Sequence, residues 1–155
     1  MNTIYLVRHG DYTHNGGGLT MKGVKQAIEI GLHLDNVSTQ PYIIYTSPIL
    51  RARMTADHIA QHIDSIALIK LDQLREIESG ESWDELAERA KTALGIAAIS
   101  IKCDIVIVSH RALIQAMLSP ILGKQPRDIA IEKGHVYELS TSGEMKVKYE
   151  DRWGT

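Results

Sequence analysis

The sequence predicts an α/β fold of three layers, with helices on both faces of a mostly parallel central sheet. Three observations carry this expectation. Short apolar runs alternate with amphipathic stretches along the chain. The strongest run, Ile105-Val106-Ile107-Val108, is apolar at every position, as a central parallel strand covered on both faces should be. The last two strand-like runs flank Ser142-Gly143 and read as a C-terminal hairpin. With 155 residues, one domain spanning 1–155 is expected.

Each element has its own signal. Thr3 to Val7 and Tyr42 to Tyr45 are β-branched or aromatic and read as buried strands. Between them a helix begins near Thr20, a plausible N-cap, with Val24, Ala27, Ile28 and Gly31 on its inner face. The next helix is expected to start at Ser47-Pro48, an N-cap followed by proline in the first turn. Its stripe is Ile49, Ala52, Ala56, Ile59, Ala60 and Ile63. Ile66 to Leu71 is a weaker strand, diluted by Ala67 and Lys70. Ser82 and Glu85 have the spacing of a capping box, opening a helix through Leu86, Ala90, Leu94 and Ala97. After Ile105 to Val108, a fourth helix follows His110 and loses its pattern near Ser119-Pro120. His135 to Leu139 and Met145 to Tyr149 form the arms of the hairpin.

Bulk properties exclude several functions. A hydrophobic content of 44% marks a globular chain. Seventeen basic and nineteen acidic residues give a net charge of −2, without the basic excess of a nucleic-acid or anionic-membrane binder. Cationic groups that serve a substrate must therefore be concentrated locally. Cys103 is the single cysteine, which rules out an internal disulfide and a multi-thiolate zinc site, and it reads as a small core residue. The start, Met1 to Arg8, lacks signal-peptide character, and no apolar run approaches membrane-spanning length, so a cytoplasmic location is expected.

Ligands of such sheets bind beyond the carboxyl ends of the strands. Two strands here end alike: one runs into Arg8-His9-Gly10, the other into Ser109-His110-Arg111. If those strands are parallel neighbours, His9 and His110 meet at one rim. Arg51 sits in the first turn of its helix, where the macrodipole disfavours a cation and favours an anion. An anion held between Arg8, Arg51 and backbone N–H groups explains that placement, and phosphate suits forked guanidinium donors best. A neutral imidazole kept unprotonated by nearby guanidinium groups can attack phosphorus, while the same cations stabilise the transition state. Gly10 would let the backbone approach the phosphate. His9, Asp11 and His14 could instead hold a metal, but their spacing is not that of a helical histidine pair.

These residues resemble the histidine phosphatase superfamily, the phosphoglycerate-mutase-like family. Arg8-His9-Gly10 is similar to its defining motif, followed by Asp11, Asn15, Leu19-Thr20, Gly23 and Gln26-Ala27. Thr46 to Ala52 with Thr55-Ala56 is similar to its second arginine segment. Leu74-Arg75-Glu76-Ile77 resembles the segment that carries the acid, and Val108-Ser109-His110 the second histidine. The resemblance runs in order from Ile4 to about Ile114. It implies a phosphatase with His9 as nucleophile through a phosphohistidine, and Glu76 as general acid and then base. His110 would be the second catalytic histidine, with Arg8, Asn15, Arg51, His110 and Arg111 around the phosphoryl group. It implies no metal and no cofactor. Three positions depart from the pattern: His14 where an aromatic is common, Arg111 where glycine is frequent, and Gln115 where many members have arginine. The helical cap between the acid segment and the third helix is nearly absent, because Ser82 follows Glu76 so closely. That leaves an open cleft, similar to the short bacterial protein-histidine phosphatases, and favours hydrolysis over mutase chemistry. The partner expected is a phosphorylated small molecule or a phosphohistidine-bearing protein, with neither nucleic acid nor membrane. The alternatives are a non-catalytic member that binds phosphorylated partners and a metal-dependent hydrolase.

Overall fold

A computed structural model describes residues 3–38, 40–99, 102–139 and 145–150. Chain order is β1 (Ile4–Arg8), α1 (Met21–Val37), β2 (Tyr42–Thr46), α2 (Leu50–Ala60), β3 (Ser65–Lys70), α3 (Trp83–Ala97), β4 (Asp104–Ser109), α4 (Arg111–Leu122), β5 (Val136–Leu139) and β6 (Met145–Tyr149). Single 3-10 turns at Asp72–Leu74 and Pro126–Asp128 complete the order. The six strands form one sheet in the order β3-β2-β4-β1-β5-β6. β3, β2, β4 and β1 are parallel, and β5 and β6 are antiparallel additions beside β1. The predicted three-layer sandwich is present, and its terminal hairpin arms pair as expected. The turn assigned to Ser142-Gly143 lies outside the described residues.

The pleat sorts the core into two halves, since alternate side chains face opposite ways. Leu6, Ile105, Ile107 and Tyr137 pack with Leu86, Ala90 and Ala93 of α3 and Leu113, Ile114 and Met117 of α4. Tyr5, Val7, Ile44, Val106, Val108 and Val136 pack with Ile30 and Leu34 of α1 and Ala52, Ala56 and Ile59 of α2. Every residue of β4 is buried, as its unbroken apolar run demanded. β3 lies at the sheet edge, and Ile66 and Ile69 are exposed there. The weaker apolar run that Ala67 and Lys70 dilute is thus the one at the edge.

Local signals placed some helix boundaries and missed others. Thr20 caps α1, its hydroxyl accepting from Gly23 N at 3.1 Å. Ser82 and Glu85 close the capping box of α3 in both directions, each bond 3.1 Å. α2, however, begins at Leu50 rather than at Ser47, because the Ser47 hydroxyl accepts from Ile49 N in a local turn. The inner face of α1 is Gly23, Ala27, Ile30, Gly31 and Leu34, leaving Val24 and Ile28 only half-buried. Thr55 joins the buried stripe of α2 while Ile49 and Ala60 are half-buried, and in α3 Ala93 rather than Leu94 is fully buried. α4 continues through Pro120 to Leu122 and ends at Gly123, whose φ of 65° suits a left-handed cap. Among the described residues, no helix is long and apolar enough to cross a membrane.

Candidate active site

Three strand ends converge at one rim of the sheet. β1 and β4 are parallel neighbours with Val7 opposite Val108 and Arg8 opposite Ser109. That register carries directly into the loops, where His9 N donates to Ser109 O at 3.0 Å and Ser47 N donates to Val108 O at 3.0 Å. The rings of His9 and His110 therefore stand 5.1 Å apart, both buried. Their separation in sequence is cancelled by one parallel pairing.

Hydrogen bonds decide which nitrogen of His9 is available. Nδ1 lies 2.9 Å from Gly10 O, a carbonyl that can only accept, so Nδ1 carries the proton. Nε2 keeps its lone pair and accepts from Arg51 Nε at 3.2 Å. Burial is the main force pushing the His9 pKa down to about 4, and the charges of Arg51, Arg8 and Lys133 act in the same direction. The result at neutral pH is an unprotonated imidazole with its reactive lone pair beside a guanidinium.

His110 is also held neutral, its pKa forced far down by burial first and then by His9, Arg51 and Arg8. Its Nε2 lies 2.8 Å from Ser47 Oγ, and its buried Nδ1 has no hydrogen-bond partner. Glu76 Oε2 is 3.8 Å from that Nδ1 and 3.7 Å from Arg51 Nη2. With a neutral imidazole, the approach of Glu76 to His110 is not an ion pair. The carboxylate, 38% exposed, thus stands between the site and solvent, its Oε1 accepting from Ile77 N at 3.1 Å.

The loop that carries Glu76 is clamped from α3. Arg89 donates to the carbonyls of Gln73, Arg75 and Glu76 at 3.0, 2.7 and 3.2 Å, and pairs with Glu81 at 2.7 Å. On the other side, Thr55 Oγ1 accepts from Gly10 N at 3.0 Å and donates to Arg51 O, tying the histidine loop to α2. Tyr12 packs edge-on against His9, and the Arg51 guanidinium lies 4.7 Å over its ring. Gly10 has a packing reason beyond any ligand: a Cβ there would lie 2.8 Å from Gly23 O of α1.

The expected residues divide into two groups. His9, His110, Glu76 and Arg51 are brought together. Arg8 lies on the α4 side of the sheet, its Nη1 donating to Ile131 O at 3.0 Å while its buried Nε has no partner. Asn15 is exposed in the turn at 14–16, where its carbonyl accepts from Thr13 Oγ1 at 2.6 Å. Arg111 opens α4 with an exposed side chain that lines a separate cleft. Asp11 accepts from Thr20 Oγ1 and pairs with Lys133, and the exposed His14 packs on Tyr12. Among the described residues, no three histidine, cysteine, aspartate or glutamate side chains converge to hold a metal, so His9, Asp11 and His14 do not form one site. Sequence reasoning missed Ser47, read as a helix cap, and the supporting roles of Thr55, Tyr12, Lys133 and Arg89. Capping chemistry hid the first, and nothing local marks the others.

Known proteins share this fold. The family model of the histidine phosphatase superfamily (branch 1) matches residues 4–81 and 77–150. The uncharacterized phosphatase PhoE of Bacillus subtilis (strain 168) is 27% identical over 158 residues, covering 81% of this chain and 80% of its own. A 2,3-bisphosphoglycerate-dependent phosphoglycerate mutase of Bartonella quintana (strain Toulouse) is 34% identical over 90 residues, covering 51% of this chain and 44% of the mutase. This chain thus spans less than half of that mutase. Among solved structures, Bacillus stearothermophilus YhfR superposes with a TM-score of 0.78 at 21% identity, covering 97% of this chain and 96% of that one. A phosphoserine phosphatase mutant of Entamoeba histolytica in complex with phosphoserine gives 0.74 at 19%, covering 96% of each chain. The protein histidine phosphatase SixA complexed with tungstate gives 0.71 at 16%, covering 95% of this chain and 94% of that one. At these identities the superpositions speak for the fold.

Proposed function

The chain belongs to branch 1 of the histidine phosphatase superfamily, and from that premise we propose that it is a hydrolase of phosphomonoesters or phosphoamides working through a covalent phosphohistidine on His9. One observation carries the proposal: His9 Nε2 is an unprotonated lone pair buried between Arg51 and His110, with the Glu76 carboxyl at the same rim. An incoming phosphoryl group takes the Arg51 fork off the imidazole and onto its own oxygens. Nε2 then attacks phosphorus, the bond to the leaving atom breaks, and protonated Glu76 supplies the proton to an alkoxide. In the second step Glu76 takes a proton from water, the hydroxide attacks phosphorus, and the P–N bond breaks to restore neutral His9.

Other groups stabilise charge on the phosphoryl oxygens as it develops. In this reading Arg51 and His110 contact those oxygens, His110 through the buried Nδ1 that lacks a partner. Arg8 contributes its charge from the α4 side, the Arg111 backbone N–H lies at the helix start, and Asn15 joins when its exposed turn meets a ligand. The group-transfer chemistry uses the chain's own acid and nucleophile, with no metal or cofactor invoked. The open rim suits hydrolysis, and the substrate is either a phosphorylated small molecule, as the phosphoserine complex suggests, or a phosphohistidine protein, as SixA suggests.

Rapid acid-free quench with 32P-labelled substrate tests the mechanism. The label should be acid-labile, alkali-stable and located on His9, and His9→Ala should turn over at background rate. Label on Ser109, or turnover that disappears with chelator and returns with zinc or manganese, would overturn it.

A further inference from the structure

The hydrogen bonds around Ser47 decide where its hydroxyl proton points, and the mechanism above does not use that proton. β2 ends at Thr46, opposite Val108 of β4, so the next residue arrives beside the end of β4. Ser47 N donates to Val108 O at 3.0 Å, which anchors its backbone two residues before His110. Pro48 has no N–H to offer, and the Ser47 hydroxyl accepts instead from Ile49 N at 3.2 Å. Its other hydrogen bond, among the described residues, is with His110 Nε2 at 2.8 Å. Both residues are fully buried, so water takes no part in the choice of donor.

A neutral ring has one proton to place, and desolvation keeps His110 neutral. If Nε2–H donated to Ser47 Oγ, the serine proton would be buried with no acceptor among the described residues. Nδ1 would then be a bare lone pair 3.8 Å from the Glu76 carboxylate. Both features are unfavourable. If Oγ–H donates to Nε2, the ring proton sits on Nδ1, facing Glu76 Oε2 and not yet bonded to it. Every group then suits its neighbour. We propose that Ser47 is a positioning residue that locks His110 in its Nδ1–H tautomer, so that an uncharged imidazole presents a donor to the phosphoryl group. The inference rests on the hydrolase reading and adds the residue that sets one of its donors. In the opposite tautomer, His110 would turn a lone pair toward anionic oxygens and repel them.

The tautomer is read directly by 15N NMR of histidine-labelled protein, because protonated and bare ring nitrogens differ in shift and in their couplings to the ring protons. Ligand-free wild type at pH 7 should show His110 with a protonated Nδ1 and a bare Nε2. The reverse pattern would overturn the inference, and this result needs no variant that might fail to fold. Ser47→Ala should release part of the His110 population to the Nε2–H form. It should also lower kcat/KM by roughly ten- to a hundredfold, the range for one hydrogen bond to a charged group. That loss should be alike for propyl phosphate and p-nitrophenyl phosphate, since His110 serves the phosphoryl oxygens and not the leaving atom. An unchanged tautomer in Ser47→Ala, or a changed tautomer with wild-type kinetics, ends the proposal. If no phosphate ester is turned over, the hydrolase reading falls separately, and inorganic phosphate replaces the substrate. Ser47→Ala should then bind it about tenfold more weakly than wild type, and equal affinity would count against the lock.

Discussion

Arg51 joins the two chemical groups of the site, donating through Nε to His9 and approaching Glu76 through Nη2. A lysine keeps the charge but offers a point donor where a planar fork is needed. Arg51→Lys should lower kcat/KM by roughly ten- to a thousandfold, mid-range for one lost transition-state donor. Near-normal steady-state kinetics in that variant would remove Arg51 from the mechanism. Glu76 makes a sharper prediction, because a general acid helps in proportion to the basicity of the leaving group. Glu76→Gln should slow alkyl phosphates by roughly a hundred- to ten-thousandfold, and p-nitrophenyl phosphate or a phosphohistidine protein only mildly. An equal loss on every substrate would instead give Glu76 a purely positional part through its contact with Arg51.

At the scale of elements, the site depends on how α3 holds the loop before it. Glu76 sits on a segment without regular structure between the turn at Asp72–Leu74 and Trp83. Arg89 holds this segment, satisfying three carbonyls and the Glu81 carboxylate with one side chain. Arg89→Met leaves those acceptors without a donor and should reduce unfolding free energy by about 2–3 kcal/mol in urea titrations. It should also reproduce part of the leaving-group dependence of Glu76→Gln, and Arg89→Lys should restore stability more than that selectivity. A loss of stability with unchanged leaving-group dependence would confine Arg89 to the fold.

Across the whole molecule, two buried neutral histidines give folding a definite pH dependence. His9 has its pKa pushed down to about 4 in the folded state, and His110 is also depressed, against an ordinary value of 6.5. Between these limits the unfolded chain binds more protons than the folded one, so stability rises with pH and is lost as pH falls below 6.5. Each histidine contributes a slope of about 1.4 kcal/mol per pH unit inside its window. Asp11 and Glu81, both depressed carboxylates with Thr20 and Arg89 as their main partners, add a loss that starts only in the carboxylate range. Urea midpoints from pH 7 to pH 4 should therefore fall more steeply for wild type than for His110→Asn, by about one proton's worth. Identical slopes would mean that His110 is protonated in the fold.

What the sequence determined by itself was the order of the elements and which histidines end the strands at the sheet rim. Unbroken apolar runs in β1 and β4 and the capping box of α3 are local features, written in neighbouring residues, and each was legible without tertiary information. Arg8-His9-Gly10 and Ser109-His110 were legible for the same reason, since a strand that ends in histidine announces a rim. Tertiary structure decided everything that depends on which surfaces meet. The parallel register of β1 with β4 set the 5.1 Å between the two histidine rings. Close packing of Gly23 on the loop at residues 10–11 turned the inner face of α1 away from Val24 and Ile28. Ser47, held in a local turn with Ile49, meets His110 from across the sheet, and the pleat sent Arg8 to the α4 side, where it lines a cleft with Arg111 and Arg127. Those outcomes arise from contacts between residues far apart in the chain, whose energies no local window contains.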